Sequence, residues 1–129
     1  MPLKKMIGKK ILIIEDDTFL VKMYLERLQD EGYMVVVASN GEEGLQRVTT
    51  EQPDLILLDM VLPIMNGFDF LKNFKTLPNI KKIPILILSN LGQDQDIAQA
   101  KELGAVDYLV KTHYPLKNVV EKIKHYLAN

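Results

Sequence analysis

Three carboxylates, one hydroxyl and one amine stand directly after short apolar runs in this chain. Ile11–Ile14 is followed by Glu15 and Asp16, Leu55–Leu58 by Asp59, Ile85–Leu88 by Ser89, and Tyr108–Val110 by Lys111. Carboxylates gathered in one place repel one another, which raises at least one pKa and makes the cluster costly without a neutralising cation. Oxygen-only ligands suit a hard ion, Mg2+ or Mn2+, held through one or two carboxylates, with waters and a substrate phosphate completing the shell. A carboxylate can also attack a phosphoryl group and form an acyl phosphate. That transfer needs in-line positioning and neutralisation of the equatorial oxygens, tasks for which a hydroxyl and a lysine ammonium are suited. His113 and His125 lack a partner at metal-ligand spacing, so zinc is not indicated and both are expected on the surface.

The runs themselves must bring these groups together. With Met34–Val37 they make five, continuous rather than alternating and rich in Ile and Val, as expected for strands covered on both faces. Between them the spacing predicts helices. Leu20, Met23, Tyr24 and Leu28 recur at helical intervals before Gly32, residues 41–50 form a shorter stretch ahead of Pro53, and Leu116, Val119, Val120, Ile123 and Leu127 form a stripe. Strict alternation predicts an α/β fold, a doubly wound five-stranded parallel sheet with flavodoxin-like strand order 2-1-3-4-5. Ligands then bind beyond the carboxyl ends of the strands, at the reversal between strands 1 and 3. Strand 2, the expected edge, ends in Ala38-Ser39 without an ionisable group. Residues 94–103 offer only Ile97, Ala98, Ala100 and Leu103 as apolar material, which predicts a weakly held helix.

The 129 residues fit one domain spanning 1–129, with no separate effector domain expected. Apolar residues at 47% and charged residues at 26% fit a globular protein with a core. A net charge of -1 gives no general pull toward nucleic acid or anionic membrane. There is no cysteine, and no apolar run approaches the roughly 20 residues needed to span a bilayer. A cytoplasmic location is the expectation. Lys4, Lys5, Lys9 and Lys10 are expected to form a solvated lead-in to the first strand.

Three motifs in order sharpen the reading. Ile11-Leu12-Ile13-Ile14-Glu15-Asp16-Asp17 resembles the start of bacterial response-regulator receiver domains, the CheY-like (βα)5 group. Asp59-Met60-Val61-Leu62-Pro63-Ile64-Met65-Asn66-Gly67 is similar to that family's D-x-x-[LM]-P-x-[LM]-[DN]-G motif. Gly104-Ala105-Val106-Asp107-Tyr108-Leu109-Val110-Lys111 resembles its G-A-x-D-Y-[LI]-x-K element. The resemblance implies a signalling domain of two-component phosphorelays, not an enzyme acting on other substrates, which catalyses its own phosphorylation and dephosphorylation. It implies Asp59 as phosphoacceptor, Asp16 as direct metal ligand, Glu15 as ligand through water, and the Met60 carbonyl as a further ligand. Ser89 is implied as the hydroxyl on the phosphoryl oxygens, Lys111 as the salt-bridging lysine, and Tyr108 as a switch aromatic turning inward as Ser89 moves. The implied partners are a sensor histidine kinase or histidine phosphotransfer protein and a downstream protein target on the face of helix 4, strand 5 and helix 5. A phosphorylation-dependent dimer is compatible with this, and no direct nucleic-acid contact or membrane insertion is expected.

Other readings stay open for single residues. Asp17, just before the helix, is expected to cap it rather than bind metal. Ser89 could cap a turn, and Tyr108 could be core packing. Thr112 follows Lys111 where the family usually has proline after a cis bond; without proline, a cis bond would cost about 2.5–4 kcal/mol. The loop is therefore either trans and reshaped or strained, which leaves the position of the Lys111 ammonium open and favours, as an alternative, a constitutive interaction module. Asn90 replaces a small residue and could narrow access to the crevice, and Val61 could act with it.

Overall fold

Side chains of neighbouring strand residues point to opposite faces, and in this chain each face has its own core. A computed structural model describes residues 8–128. It places β1 (Lys10–Ile14), α1 (Thr18–Asp30), β2 (Met34–Ala38), α2 (Gly41–Glu51), β3 (Leu55–Leu58), α3 (Gly67–Phe74), β4 (Ile85–Ser89), α4 (Asp94–Glu102), β5 (Asp107–Val110) and α5 (Leu116–Leu127) in order. The sheet is parallel throughout, with order β2-β1-β3-β4-β5, the doubly wound arrangement expected.

Ile11, Ile13, Leu55, Leu57, Leu86 and Leu88 pack with Tyr24 and Leu28 of α1 and with Val119, Val120, Ile123 and Leu127 of α5. Leu12, Ile14, Ile56, Leu58, Ile85 and Ile87 pack on the other face with Val48 of α2, Phe70 and Leu71 of α3, and Ala100 of α4. The α5 stripe delivers four buried side chains, each worth about 1.5–3 kcal/mol of burial. By contrast, α4 buries Ala100 alone and has no side-chain N-cap, so it is the weakly held helix that its composition predicts. Gly32 has φ of 97°, the left-handed stop expected after α1.

Two details differ from the bare reading of the sequence. Lys10 is no solvated lead-in: it opens β1, its ammonium lies 3.0 Å from Glu51, and its N–H donates to Asp54 at 2.7 Å. Lys4 and Lys5 lie outside the described residues. After β5 the chain enters a 3-10 turn, Lys111–His113, and among the described residues no peptide bond is cis. The loop at Thr112 is trans and reshaped. Both histidines are exposed, as expected. No helix among the described residues is long and apolar enough to cross a membrane.

Candidate functional site

β1 and β3 end in register, and β4 runs two residues further, to Ser89. Ile14 pairs with Leu58 and Leu58 with Ile87, and the ladder continues one step as Asp59 N–H donates to the Ile14 carbonyl at 3.0 Å. Glu15 and Asp59 therefore emerge side by side. One carboxylate oxygen from each of Glu15, Asp16 and Asp59 can be chosen so that all lie within 4.8 Å of one another. Around them is a cavity of about 260 Å³ lined by Glu15, Asp16, Asp59, Val61, Asn90 and Lys111.

Glu15, Asp59 and Lys111 are each held by a local device. Glu15 is buried, and one of its oxygens accepts from the N–H groups of Asp16 and Asp17, both at 3.1 Å. Its other oxygen lies 2.8 Å from the Lys111 ammonium, which also stands 3.3 Å from Asp59. Lys111 thus reaches the site in spite of Thr112, because the 3-10 turn does the shaping. Burial pushes the Glu15 carboxyl up to about 7; Lys111 opposes this and the neighbouring charge of Asp59 adds to it. For Lys111, burial works to lower the pKa, but Glu15 and Asp59 outweigh it and hold the ammonium above its ordinary value. Asp59 accepts from its own loop, through Val61 N–H at 3.3 Å. Asp17 turns away from this cluster and caps α1, accepting from Phe19 and Leu20 N–H.

The donor set fits a hard cation. Two oxygens on one Mg2+ can lie no more than about 4.2 Å apart, twice its bond length. Carboxylates within 4.8 Å need only a few tenths of an ångström of adjustment, or a bridging water, to meet that limit. The Met60 carbonyl already accepts Gly67 N–H at 3.0 Å, leaving one lone pair.

Ser89 and Tyr108 sit beneath the crevice rather than on its wall. Ser89 is fully buried, and its hydroxyl accepts from Leu91 N–H at 3.3 Å. Tyr108 is turned inward, 6% exposed, and its hydroxyl donates to the Leu91 carbonyl. Burial, with the field of Asp96, raises this phenol to about 12, so it remains a donor. Leu91 thus joins the two residues, through its N–H on one side and its carbonyl on the other, a link invisible to a reading of side-chain types. Gly67 is another residue whose function the sequence did not spell out. A Cβ there would meet the Asp59 carbonyl at 2.7 Å and the Met60 Cα at 2.7 Å, so only glycine lets the β3–α3 loop fold back under the site.

Residues 11–124 match the family model of the response regulator receiver domain. Sporulation initiation phosphotransferase F of Bacillus subtilis is 35% identical over 122 residues, covering 95% of this chain and 96% of that protein. The alkaline phosphatase synthesis transcriptional regulatory protein PhoP of the same organism is 38% identical over 108 residues; the match covers 84% of this chain and 44% of that protein. Against several such regulators the match spans about half of their length or less. A two-component response regulator from Clostridium difficile is structurally similar, with TM-score 0.86 and 29% identity, covering 95% of this chain and 98% of that one. From its strand order to its match over residues 11–124, the chain belongs to the response regulator receiver domain family of two-component systems.

Proposed function

We propose that Asp59 accepts a phosphoryl group from a histidine kinase or histidine phosphotransfer protein, and that the acyl phosphate so formed changes a protein-binding face. The observation that carries this reading is the shared cavity in which Asp59 faces Glu15, Asp16 and Lys111. An Asp59 carboxylate oxygen forms the new P–O bond as the P–N bond to the donor imidazole breaks, and the imidazole leaves with the bonding pair and is protonated. Lys111, close to both Glu15 and Asp59, supplies positive charge where the equatorial oxygens gather. Glu15, Asp16, Asp59 and the Met60 carbonyl would hold Mg2+ or Mn2+, which when bound neutralises phosphoryl charge.

Ser89 reaches the phosphoryl oxygens by giving up the bond from Leu91 N–H. That shift frees the N–H of Leu91, the residue to whose carbonyl Tyr108 is tied, and so repositions the start of α4. The output face is then α4, β5 and α5, read by another protein. The constitutive alternative drew its support from Thr112; the 2.8 Å approach of Lys111 to Glu15 in spite of that residue favours the phosphorylation reading. Incubation with phosphoramidate and Mg2+ followed by intact-mass measurement tests the reading. Gain of one phosphoryl group by the wild-type protein and none by Asp59→Asn is expected; no gain, or equal gain in both, overturns it.

A further inference from the structure

The opposite pole of the sheet carries a larger cavity than the acidic crevice. It measures about 500 Å³ and lies between the segment from the end of α3 to the start of β4 and the turn joining α4 to β5. Its apolar lining includes Leu77, Ile80 and Leu103, and three lysines, Lys75, Lys81 and Lys82, also line it, without any acidic residue. Of these, Lys81 is paired with Asp54 at 2.8 Å. Lys75 reaches only the Glu102 carbonyl, at 3.4 Å. Neither Lys75 nor Lys82 has an ion pair among the described residues.

The volume falls within the roughly 300–1,000 Å³ of small-molecule sites and is small for a folded partner. An apolar wall with two uncompensated ammonium groups is complementary to one kind of occupant. We propose that this cleft binds a small, soluble amphipathic carboxylate, its apolar portion among Leu77, Ile80 and Leu103 and its charge toward Lys75 and Lys82. Because Leu103 closes α4 and the other wall leads into β4, the bound anion bridges a weakly held helix to the sheet. The cleft shares no lining residue with the crevice at Asp59.

Decanoate is the probe, with decyltrimethylammonium as the same chain carrying the opposite charge. Titrations of isotope-labelled full chain followed by amide chemical shifts are expected to show saturable binding of decanoate. The shifts map to Leu77, Ile80, Leu103 and Val106, and amide exchange across α4 slows. Lys82→Glu weakens binding about tenfold, as expected for losing one exposed attraction and adding one repulsion. Lys82→Ala weakens it less, and Lys22→Glu on α1 leaves it unchanged. Equal binding of both probes, shifts mapping elsewhere, an unchanged affinity in both Lys82 variants, or a response to phosphatidylglycerol vesicles without one to decanoate would each overturn the proposal.

Discussion

Asp16 and Glu15 are adjacent in sequence but live in different surroundings. Glu15 is buried against Lys111, while Asp16 is exposed and reaches the same cavity from the solvent side. A cation bound only by the folded chain stabilises it by mass action, so Mg2+ is expected to raise the melting temperature of the wild-type protein. Asp16→Ala removes one of three clustered charges, abolishes most of that rise, and leaves the metal-free protein as stable or more so; calorimetry with and without Mg2+ reads both. A rise that survives the substitution contradicts the assignment of Asp16. Placement of charge was legible at this scale because each acid directly ends an apolar run. The position of Ser89 beneath the crevice wall was not, since a hydroxyl can turn toward ligand or backbone without any change in sequence pattern.

Among the elements, β5 and α5 are joined by a device that the motif reading passed over. The Asp107 carboxylate accepts from Tyr108 N–H at 2.8 Å and from the Tyr126 hydroxyl at 3.1 Å, with Lys122 at 3.3 Å. Burial works to raise this carboxyl, but these donors outweigh it and hold Asp107 below its ordinary value. A folded-state pKa below the unfolded one stabilises the protein above the unfolded value, near 3.9, and that contribution is lost as pH falls through the folded value. Asp107→Asn is therefore expected to cost about 1–2 kcal/mol at neutral pH, with the difference from wild type shrinking in acid. Paired urea titrations at pH 7 and pH 3 measure it; a difference independent of pH would show that the carboxylate charge is not what matters. Helix stripes such as Val119 to Leu127 were readable from spacing alone, and so was the poverty of α4. The course of Thr112 was not, because a 3-10 turn leaves no periodic trace.

For the whole molecule, continuous apolar runs dictate a sheet buried on both faces, and the odd and even positions of β1, β3 and β4 divide cleanly between two cores. That much was fixed by residue type. The lysine-rimmed cavity at the far pole was not legible, since it depends on how the irregular stretch 75–84 drapes over β4. The in-register ends of β1 and β3 have a consequence for chain length. One extra residue within β3 would advance Asp59 by about 3.3 Å and turn it to the other face. A glycine inserted after Ile56 is expected to abolish the Mg2+-dependent rise in melting temperature, whereas one inserted between Pro78 and Asn79 should spare it. The strands are thus length-locked, while the exposed Pro78–Asn79 turn of the far-pole connection is a seam where a spliced-in foreign peptide, or an entire second domain, is expected to leave the charges at the other end in place.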